Sequence, residues 1–164
     1  MNIEYRWASL EMLDTLVSTR IEVLRAANRL DAGADLSEVE AQSRRYYREA
    51  LADGSHAGLL AYDGEQFVGA GGISYYRVMP TVHNPSGEKA YVMNMYVRPA
   101  YRRRGIAAHM LALLTAHARR RGVSQISLEA TEAGRPLYER FGFVPMESEM
   151  ELPEASAARM EDRP

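Results

Sequence analysis

The hydrophobic period of this chain changes twice between Tyr91 and Ala130, and no other feature limits its possible folds more. Residues 91–97 alternate as a strand does and are closed by Pro99. Residues 105–121 place Ile106, Met110, Leu113, Leu114 and Ala118 on one helical face, and Gly122 stops the helix. Residues 123–130 return to a strand pattern. A long helix between two strands is the usual right-handed link of a parallel pair, so a βαβ unit and a layered α/β structure are expected.

The rest of the chain can be built around that unit. Residues 3–7 suit a short first strand. Ser9 can cap the helix after it, in which Leu10, Leu13, Leu16, Val17, Ile21 and Leu24 recur at helical spacing to about Arg29. Ser37, Glu38, Val39 and Glu40 read as a capping box opening a second helix that runs to Asp53-Gly54. Residues 57–62 and 67–76 read as strands joined at Asp63-Gly64, a hairpin turn, with Gly69, Gly71 and Gly72 in the return strand. Pro80, Asn84-Pro85 and Ser86-Gly87 make residues 77–88 a loop. After the βαβ unit, residues 131–140 read as a short helix, and Phe143 opens a last strand ending near Leu152. The order β-α-α-β-β-β-α-β-α-β predicts one α/β domain over residues 1–152, a central mixed sheet flanked by helices. Residues 153–164 read as a flexible C-terminal tail.

Composition removes several kinds of function. A chain of 164 residues without cysteine has no disulfide framework, no thiolate nucleophile and no Cys-based metal site. The first residues lack the apolar run of a signal peptide, and nowhere do about 18 apolar residues run together. No membrane partner is expected, and a cytoplasmic location is the default. A formal charge of −2 argues against a polycation that seeks nucleic acid. That balance hides an asymmetry, because positions 89 to 128 hold 8 of the 20 Lys and Arg and none of the 22 Asp and Glu.

The asymmetry centres on the start of the long helix. A helix N-terminus leaves backbone N–H groups without partners, which a Ser, Thr, Asp or Asn cap and nearby acids ordinarily satisfy. Here Arg102, Arg103 and Arg104 precede Gly105, and Ile106, Ala107 and Ala108 carry nothing that can cap. A strand, an Arg/Gly turn and a bare helix start make a phosphate seat. Arg119, Arg120 and Arg121 at the other end suit the negative pole of the helix and need no ligand. Neither a P-loop, a G-x-G-x-x-G after a strand nor a G-x-S-x-G is present. His56, His83, His109 and His117 form no H-E-x-x-H; His109 and His117 can share a helical face, with no acid nearby, so no metal is expected.

Arg102-Arg103-Arg104-Gly105-Ile106-Ala107 fits the [QR]-x-x-G-x-[GA] acyl-CoA pyrophosphate motif of the GNAT family of N-acetyltransferases. Met95-Tyr96-Val97-Arg98-Pro99 stands before it as that family's fourth strand does. Leu137-Tyr138-Glu139-Arg140-Phe141-Gly142-Phe143 resembles the family's L-Y-x-x-x-G-F signature. The three stand in the family's order and spacing over about residues 90–145. The resemblance implies a GNAT-like fold and acetyl-CoA as cosubstrate, with an amine as acceptor. It implies that Arg102, Arg103, Arg104 and the backbone of Gly105, Ile106, Ala107 and Ala108 hold the pyrophosphate. It implies that Met95, Tyr96 and Val97 pair with the pantetheine arm along a bulged strand that splays from the next. One N–H of that strand would hold the oxyanion, and Tyr138 would be the general acid toward the thiolate. Thr131 stands where many relatives carry a cofactor-contacting Asn; it can contact the cofactor arm or cap the helix.

No clear general base is legible. Glu129 is one candidate, and Asn94, Tyr75, Tyr76, Tyr91 and Tyr96 could line the acceptor cleft through water. Arg20 and Glu22 are acceptor-side candidates by analogy with the family. Homodimers are common in that family. A non-catalytic acyl-CoA-binding domain is the alternative reading, since no base is evident. Nucleic-acid binding is a poorer one, because the two arginine triplets stand at opposite helix ends, roughly 24 Å apart at about 1.5 Å per residue.

Overall fold

Alternating side chains form β1 (Ile3–Trp7), and a 3-10 turn (Leu10–Met12) leads into α1 (Leu13–Asn28). Then follow α2 (Ser37–Asp53), β2 (His56–Asp63), β3 (Gln66–Arg77) and β4 (Glu88–Val97). A 3-10 turn (Pro99–Tyr101) precedes α3 (Ile106–Arg120), β5 (Gln125–Leu128) and α4 (Arg135–Phe141). The structure, a computed structural model, describes residues 2–153. The chain forms two compact units, Met1–Thr131 and Glu132–Pro164.

The first unit holds a five-stranded sheet in the order β1-β2-β3-β4-β5. The first three pairings are antiparallel, and β4 and β5 are parallel on either side of α3, as the change of period predicts. The β2–β3 hairpin turns at Gly64, whose φ of 60° is left-handed and favours glycine. On one sheet face α3 buries Met110, Leu111 and Leu114 completely, each contributing about 1.5–3 kcal/mol of burial. On the other, Leu16, Val17 and Val23 of α1 and Tyr47 of α2 pack with Leu60, Phe67 and Ala70 of the sheet. Gly69 and Gly71 lie under α3: a Cβ at Gly71 would stand 2.8 Å from Met95 Sδ and 3.0 Å from Leu114 Cδ1.

His109 and His117 do share a face of α3, and β1 covers it. Their rings stack on Tyr5 and Trp7, at 4.4 and 4.9 Å between centroids. Arg121 closes α3 by its backbone, just before Gly122, while its guanidinium lies 3.9 Å over the Tyr75 ring and donates to the Gly54 carbonyl that ends α2.

Three local expectations are corrected. Ser9 does not cap α1; it precedes the 3-10 turn and its side chain makes no cap bond. Ser37 is already the first residue of α2, with Leu36 at the cap position, so no capping box forms; Asp35 Oδ1 accepts from the Ser37 N–H instead (2.9 Å). In the second unit no strand follows Phe143 among the described residues. Pro145 removes a ladder donor there, and Val144, Met146, Met150 and Leu152, which a sheet would bury, are all exposed. Of the expected tail, residues 154–164 lie outside the described residues. The helix expected over 131–140 begins at Arg135 and ends at Gly142, a left-handed residue whose N–H bonds back to the Tyr138 and Glu139 carbonyls.

Candidate active site

The site begins with one extra residue in β4. Ala70 of β3 pairs with Tyr96 and Gly72 pairs with Met93, so Gly71 alone spans Asn94 and Met95. Asn94 takes up the bulge with φ of 60°, a conformation Asn tolerates better than most side chains. On the opposite edge of β4, the last rung to β5 is Val92↔Leu128. Arg98 donates its N–H to Val68 of β3 (2.8 Å), so strand alternation turns the Met95 and Val97 amides to the edge that β5 has left. Among the described residues no ladder partner meets them there. An open edge of this kind can pair with an extended amide-bearing ligand, and its N–H groups can stabilise an oxyanion.

The strand runs straight into the arginine loop. Arg102 Nε donates to the Val97 carbonyl (3.0 Å) and ties the loop to the strand end. Arg103 and Gly105 are both left-handed, at φ 60° and 79°, and Arg104 lies over the Tyr101 ring (5.4 Å). The first intrahelical bond of α3 is His109 N–H to the Gly105 carbonyl (2.9 Å), with no side-chain cap and no acid in the first turn. Ile106 is buried in the core, so it offers the loop only its backbone, while Arg102, Arg103, Arg104, Gly105 and Ala108 are exposed and Ala107 is half-buried. Three arginines thus flank a helix start that has no side-chain cap and no acid in its first turn, a setting suited to a phosphate.

On the α2 side of the bulge lies a cleft of about 630 Å³. Tyr46, His56 and Ser74 close one wall in a hydrogen-bonded triangle: Tyr46 Oη to Ser74 Oγ 2.6 Å, Tyr46 Oη to His56 Nδ1 3.1 Å, and His56 Nδ1 to Ser74 Oγ 3.2 Å. Gly72 makes room for the imidazole, since a Cβ there would come within 2.8 Å of its Cε1. Arg20 reaches in from α1 and donates to Asn94 Oδ1 (2.8 Å) at the bulge. Burial, and secondarily the Arg20 charge, push the His56 pKa down to about 4, so the ring is neutral at pH 7.

The family profile described as "Acetyltransferase (GNAT) family" matches residues 22–143. The chain belongs to this family. It is similar in structure to a predicted acetyltransferase of Clostridium acetobutylicum solved with acetyl-CoA, at 30% identity and TM-score 0.84, over 93% of this chain and 96% of that one. It is also similar to a GCN5-related N-acetyltransferase of Ralstonia eutropha JMP134, at 30% identity and TM-score 0.79, over 94% and 99%. An aminoglycoside acetyltransferase from an uncultured soil metagenomic sample shares the fold at 21% identity and TM-score 0.67, over 93% and 99%. A comparison with curated proteins gives no sequence match.

Within the GNAT fold the residues read from the sequence fall in two groups. Met95, Tyr96 and Val97, Arg102 to Arg104, Gly105, Ile106, Ala107 and Ala108 follow one another along the open edge and into α3. Thr131 is exposed, three residues beyond the end of β5. In the second unit, Tyr138 is buried with its ring 6.1 Å from Phe143, and burial holds its phenol pKa above the ordinary 10. Of the acceptor-side candidates, Arg20, Asn94, Tyr76 and Tyr91 line the cleft. Glu22 is taken by Arg98, which donates to both its oxygens (2.8 and 2.7 Å) and holds its pKa low. Tyr96 packs against the α1 cluster. Tyr75 borders the cleft, but its hydroxyl points to the other sheet face and bonds His117 Nδ1 (2.6 Å). Glu129 lies outside the cleft lining and interacts with Tyr91.

Sequence reasoning missed His56, Tyr46 and Ser74. They come from three elements with no linear spacing, and the only trace is the pair of glycines, Gly58 and Gly72, that flank the imidazole. Among the described residues, no group of three or more His, Asp or Glu side chains is placed to hold a metal, and no helix is long and apolar enough to cross a membrane.

The buried imidazole has a measurable consequence. An unfolded His titrates near 6.5, so between about pH 6.5 and 4 the unfolded chain binds a proton that folded His56 refuses. Stability is full above that window and falls as the pH drops through it, by at most about 1.4 kcal/mol per pH unit from this group. His117, also lowered by burial, adds a slope of the same sign. Urea unfolding of the wild type and of His56→Gln at pH 7 and pH 5 isolates the His56 part: the variant loses less stability between the two. An equal loss would contradict the assignment.

Proposed function

We propose that this protein transfers an acetyl group from acetyl-CoA to a primary amine by direct attack. The observation that carries this reading is the continuity of the β4 edge with the arginine loop. A bulged strand end, open on the edge that β5 has left, runs directly into an uncapped helix start with no acid in its first turn. That geometry suits one ligand with an amide-bearing arm and a pyrophosphate at its end. The Met95 and Val97 backbone would pair with the arm. Arg102, Arg103, Arg104 and the amides from Gly105 to Ala108 would hold the pyrophosphate, and Thr131 would contact the arm from the β5 side.

The chemistry follows from the same residues. The amine lone pair attacks the thioester carbonyl, and the developing oxyanion takes a hydrogen bond from a β4 amide fixed beforehand by the bulge. As the C–S bond breaks, the Tyr138 hydroxyl gives its proton to the thiolate; a phenol above pKa 10 is fully protonated at neutral pH. The amine's surplus proton leaves to water in the cleft, and Tyr138 regains a proton from water, so acetylation of the neutral amine releases no net proton. Arg20 and Asn94 border the bulge, so the cleft beside them is read as the acceptor site. With no cysteine in the chain, no thioester enzyme intermediate is available. Use of an acyl-CoA thioester goes with a cytoplasmic location.

The test is thiol release from acetyl-CoA across an amine library. Amine-dependent release of CoA with acetylated product is the expected result. Tight acetyl-CoA binding with no release from any amine would point instead to an acyl-CoA-binding domain.

A further inference from the structure

The acceptor cleft holds one cation and no anion. Among its lining residues Arg20 is the sole charged group, and no Asp or Glu is present. The remaining wall is largely aromatic and thioether: Tyr46, Tyr47, Tyr76, Tyr91 and Met93. His56 is uncharged at neutral pH.

Several arginines of the first unit have carboxylate partners, while Arg25, Arg102 and Arg121 donate to backbone carbonyls. Arg6 pairs with Glu4, Arg44 with Asp14, Arg77 with Glu88, and Arg98 with Glu22. Glu22 is only two residues from Arg20, yet both of its oxygens face Arg98. Arg20 has no ion pair among the described residues; its hydrogen-bond partner is the neutral Asn94 amide oxygen. A guanidinium carries five N–H donors in a planar fork that fits a carboxylate, so most of its capacity is left for a ligand.

We propose, resting on the acetyltransferase reading, that the acceptor amine bears a carboxylate that binds Arg20, with an aromatic or thioether body lying over the tyrosines and Met93. Arg20 meets the bulge at Asn94 (2.8 Å), so a carboxylate on Arg20 lies beside the strand that would hold the thioester, which suits an acceptor whose amine and carboxylate are close together, as in an amino acid. A polycationic acceptor is disfavoured: its extra charges would meet Arg20 in a partly enclosed cleft whose lining residues include no acid.

Matched probes test this in the full-length protein at saturating acetyl-CoA. L-phenylalanine is compared with phenethylamine, L-methionine with 3-(methylthio)propylamine, and both pairs with spermidine and neamine. The carboxylate member of at least one pair is expected to exceed its decarboxylated twin in kcat/KM by roughly tenfold or more. Arg20→Gln shrinks that gap to about threefold or less, Arg20→Lys restores part of it, and acetyl-CoA affinity is the same in all three proteins. Thermal unfolding verifies that the variants are folded. The proposal is overturned if the twins are used equally well, if a polyamine or neamine is the best acceptor, or if Arg20→Gln keeps the preference. It is also overturned if protein that binds acetyl-CoA acetylates neither amino acid. A well-folded wild type that binds no acetyl-CoA would instead remove the acetyltransferase reading on which the proposal stands.

Discussion

Tyr138→Phe is expected to lower kcat by about a hundredfold or more while leaving the acetyl-CoA dissociation constant nearly unchanged. The substitution removes one oxygen and keeps the ring that packs on Phe143, so the second unit retains its apolar contacts. What is lost is a proton donor held in the neutral state by burial. The pH profile carries the sign of the same argument. A group that must be protonated costs activity only above its pKa, and this one lies above 10, so Tyr138 imposes no alkaline fall in kcat below about pH 10. A variant with wild-type kcat would make Tyr138 a core tyrosine and nothing more.

Gly105→Val is expected to weaken acetyl-CoA and free CoA alike by tenfold or more, because the two share the pyrophosphate. Nothing lies within 4 Å of a Cβ at this position, so the added Cβ itself meets no neighbour. The cost is conformational: φ is 79°, and a β-branched residue held there loses about 1–2 kcal/mol. Relaxation of that strain turns the amides at the start of α3 away from a common point. The far end of the same helix supplies the control. Gly122 has the same φ of 79° and equally open surroundings, but no proposed ligand. Gly122→Val should therefore cost similar stability and leave CoA affinity intact. Equal weakening by both variants would show that global strain, rather than the phosphate seat, governs binding.

The parts of the fold that could be read from the sequence are those fixed by local periodicity. The βαβ unit, the β2–β3 hairpin and the glycine stop of α3 each rest on neighbouring residues obeying one geometry, and each is present, the hairpin with its two-residue turn at Gly64-Glu65, one position beyond the expected Asp63-Gly64. The caps at Ser9 and Ser37 failed for different reasons: Ser9 has the extended dihedrals of a cap but its side chain makes no cap bond, and Ser37 is already helical, with Leu36 at the cap position. The strand after Phe143 failed because alternation specifies a face only where a partner strand exists to receive it. Of the site, the β4 edge and the arginine loop were legible because their chemistry is backbone and contiguous. The cleft was not: Arg20, His56, Ser74 and Asn94 converge from α1, β2, β3 and β4, and burial rather than spacing gives His56 its state. The roles of Glu22, Tyr75, His109 and His117 were settled by packing partners far away in the chain.

The acid-free window from position 89 to position 128 is explained at one end by the proposed phosphate seat. At the other end Arg121 bridges α3 to the end of α2, a structural use.

Calorimetric titration of the wild-type protein with acetyl-CoA tests the central claim most directly. The account predicts saturable binding of one acetyl-CoA per chain, weakened by rising salt because phosphate charge meets arginine. A folded protein that takes up no acetyl-CoA would contradict it.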